Sequence, residues 1–324
     1  MCVIRNLYID LIKGIACIGV IFIHTSFWSG VSYVPDFFRS VSLLIDVPIF
    51  FLLSGLTTSI NIKKNFIRLG KLQLSYMFFV TLIYFIHAIY TQKIDVYKLL
   101  LWWVHDYSDS FPLPVVMGSM WYLKIYFFVA ITAQLVLKFI AEKYYLPLLI
   151  ILFTLINFLT WIYRYESGDI DYVVFYLFIF MLGYYFKNKN FKITYLYFTI
   201  ALVSSYFIIF YILGIDIYLD NIDKFPPNII YLLYSLFSLT AILYLKDKIV
   251  IHKSNFLIYI GKNAIYYYFA QGISASIIFL FVYLLRNILD WAILLPMMFI
   301  INLILAIIFA EGIKKLDKLF FKLF

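Results

Sequence analysis

Three ionisable side chains, Asp10, Lys13 and His24, stand inside one apolar run, YIDLIKGIACIGVIFIHTSFW, from Tyr8 to Trp28. The run is long enough to cross a bilayer as a helix. A charge held mid-membrane costs at least a few kcal/mol, so it faces protein or water rather than lipid. At about 100° per residue, Lys13 and His24 fall within roughly 20° of each other and about 16 Å apart along the axis. Asp10 lies roughly 60° from Lys13. One face of this helix is a polar stripe that other helices must enclose, and they are expected to enclose a pathway.

The chemistry open to such a stripe is proton transfer. A neutral imidazole takes a proton from a hydroxyl near neutral pH and returns it later, which is what acyl transfer to an alcohol needs. The alternative is a histidine that is satisfied structure, and at this point both readings of His24 stand. Asp46 enters a second apolar run as DVPIFFLLSGL. A buried carboxylate needs a donor. Asp46 is expected to meet one on the outer side, with His24 as a candidate, or else to mark the water boundary. Pro48 and the Ser54-Gly55 pair predict a kinked helix with a close approach at Gly55. In the segment NIKKNFIRLGK at 61–71, Lys64, Arg68 and Lys71 follow helical spacing. They read either as a topology anchor or as a clamp for phosphates.

Other chemistries lack their residues. The sequence has no Gly-x-Ser-x-Gly elbow, no phosphate-binding P-loop and no histidine pair at metal spacing, so hydrolase-type serine chemistry, ATP hydrolysis and metal catalysis are unsupported. The two cysteines, Cys2 and Cys17, form no framework, and Cys17 reads as packing.

The elements that position these residues follow from composition. Of 324 residues, 65% are hydrophobic and 13% charged. The apolar runs are continuous rather than alternating, which argues for helices and against a β-barrel. The fold class is an all-α polytopic membrane protein, with one domain over 1–324 and about ten transmembrane helices, near 8–28, 41–60, 72–91, 121–140, 146–164, 172–187, 193–213, 228–246, 263–285 and 291–312. The first run reads as a span rather than a cleavable signal, because it is long and polar inside. The net charge of +9 reads as topology, not nucleic-acid binding. With both termini cytoplasmic, most of the 26 basic residues gather inside, leaving Arg39, Lys93, Lys98, Lys124, Arg164, Lys224 and Arg286 outside. Outside lies the longest connection, 92–120, whose first part, VYKLLLWWV, reads as an interfacial or re-entrant piece, its tryptophans as interfacial anchors. His105 there reads as a surface residue, and His87 as a hydrogen-bonded structural one. The acidic residues Glu166, Asp169, Asp171, Asp216, Asp220 and Asp223 read as solvated turns.

Several phrases agree with one family. YIDLIKGIACIGVIFIH, VPIFFLLSGL at 47–56, LQLSY after Lys71, MWYLKIYFF at 120–128, FYLFIFMLGYYFK at 175–187 and IGKNAIYYYFAQ at 260–271 keep order across most of the chain. Together they resemble the membrane-bound acyltransferase 3 family, most of all its fucose 4-O-acetylase-type and polysaccharide O-acyltransferase members. Three positions depart: Lys13 replaces the usual arginine, Ser75 a proline and Gln271 a histidine. Lysine keeps the charge but loses the bidentate fork.

The resemblance implies transfer of an acyl group, acetyl by expectation, from cytoplasmic acyl-CoA to a sugar hydroxyl at the outer face. The expected partners are acetyl-CoA as donor substrate, a saccharide acceptor and the bilayer, with no resident cofactor and no metal. His24 is then the expected base, supported by Asp10 or Asp46. Lys13, Lys64, Arg68 and Lys71 are expected to hold acyl-CoA, and Trp121 and Tyr122 to line the acceptor side. The competing reading is an exporter of a polysaccharide or lipid-linked sugar.

Overall fold

The structure, a computed structural model, describes residues 6–27, 33–106, 113–162, 169–214 and 224–323. Cys2, Trp28, Arg164, Glu166, Asp216, Asp220 and Asp223 lie outside the described residues. The described chain is built of helices: α1 (Leu7–Ser26), α2 (Asp36–Ser42), α3 (Pro48–Thr57), α4 (Ile62–Thr91), α5 (Val96–Trp103), α6 (Pro114–Ser119), α7 (Trp121–Phe139), α8 (Tyr145–Ile162), α9 (Asp169–Tyr185), α10 (Ile193–Ile212), α11 (Ile229–Leu245), α12 (Phe256–Lys262), α13 (Ala264–Leu285) and α14 (Trp291–Leu323). Among the described residues seven segments are long and apolar enough to cross a membrane: Leu7–Ser26, Ile62–Thr91, Pro114–Phe139, Glu142–Thr160, Ile193–Ile212, Ala264–Leu285 and Trp291–Lys322. The chain is a polytopic helical membrane protein.

Local chemistry sets the helix ends. Asn61, Asp95 and Asn228 cap α4, α5 and α11, each side chain accepting from a backbone N–H three residues on. Pro48 and Pro114 open α3 and α6, where a missing N–H costs nothing. Pro48 has a larger effect than a kink. The run expected as one span at 41–60 is two helices, α2 and α3, separated by turns around Asp46. At 10 residues α3 is about 15 Å long. The segment at 61–71 is capped by Asn61 and from Ile62 belongs to α4, whose 30 residues extend about 45 Å.

The chain divides into two compact units. One comprises residues 1–20, 35–60 and 125–262. Within it α3 lies against α9, and the approach is close at two glycines: a Cβ on Gly55 would collide with the Phe180 carbonyl, and one on Gly183 with the Leu52 carbonyl. Backbones touch there because neither residue has a side chain. Beside that contact Phe51 stacks on Tyr176 at 4.3 Å, and Phe175 on Tyr231 at 5.4 Å.

The other unit comprises 21–34, 61–124 and 263–324. Its centre is the α13–α14 hairpin, packed through Ile278, Val282, Leu294 and Met298. α4 lies on that hairpin, Phe79 stacking on Phe269 and Phe78 on Phe320. Short α6 docks on α13, where the Val115 amide donates to Ser276 Oγ at 3.1 Å.

Candidate functional site

The first unit holds Asp10, Lys13 and Asp46. The turns of α1 that carry Asp10 and Lys13 lie against α12 so closely that a Cβ on Gly14 would meet the Leu257 carbonyl and one on Gly261 the Asp10 carbonyl. Asp10 is buried there, and Lys13 half-buried. Asp46 is 1% exposed. Its carboxylate accepts from Lys224 Nζ at 2.8 Å and from the Tyr231 hydroxyl at 2.6 Å. The predicted need for a donor is met by a lysine and a phenol far along the chain. Asp46 is thus a charge-compensated group that ties the α2–α3 turn to the start of α11.

The second unit holds His24, Lys64, Arg68, Lys71, Trp121 and Tyr122. His24 sits in the last turn of α1, 7% exposed, followed by the fully buried Thr25 and Ser26. That turn is fastened to α14. Thr25 Oγ1 donates to the Ile21 carbonyl at 2.8 Å and accepts from Asn302 Nδ2 at 2.9 Å. Phe22 meets Phe299 edge-on at 5.2 Å, and the Tyr33 hydroxyl donates to the Thr25 carbonyl. α1 is one uninterrupted helix, so Lys13 and His24 keep the spacing of a shared face.

Lys64, Arg68 and Lys71 lie on the first turns of α4, all exposed, spanning about 10 Å of one face. Trp121 and Tyr122 open α7, half-buried. Tyr122 packs on Tyr268 at 5.3 Å, and the Tyr268 hydroxyl donates to the Ser119 carbonyl.

α5 runs back along α4. The Asp95 amide donates to the Tyr84 hydroxyl, Lys98 Nζ donates to His87 Nε2 at 3.0 Å, and Trp103 Nε1 donates to Thr81 Oγ1 at 3.0 Å. At its end the Trp102 carbonyl accepts from the Tyr76 hydroxyl. α5 is thus held along its length against α4. Trp102, expected at an interface, is buried at 2% exposure.

His105, expected at the surface, is half-buried at the turn after α5, with φ at +64°. Its ring stacks on Tyr76 at 4.0 Å, 11° from parallel, and its Nε2 is 3.1 Å from Gln73 Oε1. Gln73 Nε2 donates to the Trp103 carbonyl, which fixes the amide's orientation, so His105 Nε2 carries the proton. Burial, reinforced by the Lys124 charge, pulls the imidazole from 6.5 down to about 4.

Sequence reasoning missed three groups: the Gln73–His105 pair, Asn302, and Asp317. Asp317 is buried and accepts from the Ser75 and Tyr266 hydroxyls. Ser75 stands where the resemblance leads one to expect proline, and this bond is its structural use. The signal for Asn302 is present in the sequence as a lone amide inside MMFIINLILAIIF.

The sequence model of a family described as an acyltransferase domain matches residues 6–311, nearly the whole chain. No curated protein and no solved structure matches it.

Proposed function

The chain belongs to the acyltransferase 3 family, and from that premise we propose an integral-membrane O-acyltransferase that moves an acetyl group from cytoplasmic acetyl-CoA to a hydroxyl of a cell-surface or exported saccharide. The observation that carries the reading is His24, an imidazole buried in the membrane-length helix α1, on the face that also bears Lys13. In this reading His24 accepts the hydroxyl proton as the acceptor oxygen bonds to the thioester carbonyl carbon. The carbon–sulfur bond then breaks, an ester forms, and the proton returns to the coenzyme A thiolate. Lys13, Lys64, Arg68 and Lys71 attract the phosphates of the donor. Trp121 and Tyr122 offer aromatic faces to the sugar ring. Asp10 is kept as a support for His24 from the same helix, while Asp46, bonded to Lys224 and Tyr231, holds the frame.

The reading includes ten membrane crossings with both termini cytoplasmic, in the cell membrane. Each of the ten predicted runs contains a helix, and the three outside the seven longest segments are Pro48–Thr57, Asp169–Tyr185 and Ile229–Leu245. The basic start of α4 then lies on the side where acetyl-CoA arrives.

The test is transfer of label from acetyl-CoA in proteoliposomes carrying a saccharide acceptor. Transfer that His24→Ala abolishes supports the reading, and unchanged transfer removes it. Saccharide movement without thioester consumption would favour an exporter. Label retained on the denatured wild-type protein and lost in His24→Ala would identify an acyl-imidazole step.

A further inference from the structure

Gln271 is a buried side chain of the second unit with both ends of its amide unpaired among the described residues. It is 1% exposed, on an α13 face shared with the buried Tyr267, Ser274 and Ile278. Neither its Nε2 nor its Oε1 has a hydrogen-bond partner among the described residues. An unpaired buried amide costs about 1–3 kcal/mol, so one that persists calls for an explanation.

A second orphan belongs to the same region. Asn302 is fully buried on α14, and its Oδ1 has no partner among the described residues. Its orientation is decided by chemistry. Thr25 Oγ1 gives its proton to the Ile21 carbonyl, so only the Asn302 amino group can face it, and the carbonyl points elsewhere. α13 and α14 form an antiparallel hairpin, registered by the cluster of Ile278, Val282, Leu294 and Met298. One turn back along α13 from Ile278 is Ser274, and one turn on along α14 from Met298 is Asn302. The two residues are therefore level, and Gln271 is about one turn further. Thr25, next to His24 in sequence, is already bonded to Asn302.

We propose that Gln271 and Asn302 form the recognition site for the acceptor's hydroxyls, a specificity-determining pair beside the turn that carries His24. The proposal rests on the acyl-transfer reading for the identity of the ligand as acceptor. The valences decide its class. Two orphan acceptors, Gln271 Oε1 and Asn302 Oδ1, require O–H or N–H donors, and the Gln271 amino group requires an acceptor. A thioester carbonyl and phosphates supply acceptors only; the pantetheine amides of the donor supply both kinds, so acetyl-CoA binding is measured as a separate arm. Neighbouring hydroxyls of a neutral saccharide supply both, without burying a charge. Gln271 also stands where the resemblance leads one to expect a histidine, so a neutral, untitratable pair of donor and acceptor replaces an imidazole in this chain.

The experiment uses the purified full chain in nanodiscs, as wild type, Gln271→Leu and Asn302→Leu, with Gln271→Met as a second variant if leucine does not fold. Binding of methyl glycosides of hexoses and 6-deoxyhexoses, and separately of acetyl-CoA, is measured by saturation-transfer NMR and thermal shift. The expected result is saturable glycoside binding to wild type, weakened roughly tenfold or more in each variant, with acetyl-CoA binding unchanged. Absence of glycoside binding to wild type, wild-type affinity in the variants, or a loss that falls on acetyl-CoA would overturn the site. Labelled transfer separates the two readings. Gln271-dependent glycoside binding without any acyl transfer leaves the site standing and removes the enzyme. Acyl transfer with an unchanged acceptor KM in both variants does the reverse.

Discussion

Asp46 and Gln271 are buried to the same degree, 1% exposed, yet the protein treats them in opposite ways. Asp46 carries a full charge, and the fold meets it with an ammonium at 2.8 Å and a phenol at 2.6 Å. Gln271 is neutral and cheaper to bury, but the described residues leave both ends of its amide without a bond. If stability alone governed these positions, the neutral group would be the easier to satisfy. The difference separates a group that holds the frame from one left with valences for something else.

Five changes probe that contrast. The largest effect falls on the chemistry. His24→Ala is expected to lower acyl transfer about a hundred- to ten-thousand-fold while thermal unfolding stays near wild type. A variant that unfolds instead would place His24 with Asp46 on the structural side. Next comes the frame. Asp46→Ala leaves the half-buried Lys224 without this counter-charge, and a loss of about 3 kcal/mol is expected in reversible unfolding. Tyr231→Phe removes one hydrogen bond to that carboxylate and should cost about 1.5–3 kcal/mol. Gln271→Leu, by contrast, should leave the unfolding temperature unchanged or raise it, since it removes unpaired amide atoms. A drop as large as that of Asp46→Ala would erase the distinction.

The fifth probe concerns pH. The His105 imidazole titrates near 4 in the folded chain and at 6.5 ordinarily. Below about pH 6.5 the unfolded chain takes up a proton that the folded one resists, so this contribution to stability is complete above 6.5 and is lost as pH falls toward 4. His105→Phe keeps the stacking on Tyr76 and removes the titration. Its unfolding temperature should fall less than that of wild type between pH 6.5 and 4. Parallel curves would show that His105 does not titrate in this way.

Much of this molecule is legible from residue order, because a bilayer leaves few solutions. Continuous apolar runs must be helices, and all ten predicted runs contain one. Gly55 also marks a close approach before any coordinate is known, since only glycine allows two backbones to touch. The failures are of one kind. A histidine in a polar loop looks exposed until α5 is seen to double back along α4 and lay His105 on Tyr76. A run at 41–60 looks like one span until Asp46 and Pro48 break it. In both cases the competing term is a contact with a distant part of the chain, which no local window contains.

Amphipathic spacing along α1, the apolar spans and the family's phrases are properties of neighbouring residues, so helical character and the Lys13–His24 face follow from residue order. Partners of buried polar groups are another matter. Asp46 meets Lys224 across 178 positions, and Thr25 meets Asn302 across 277. Desolvation demands that such groups find partners but does not specify which, and only the packing of helices in three dimensions chose between Lys224 for Asp46 and an open amide for Gln271.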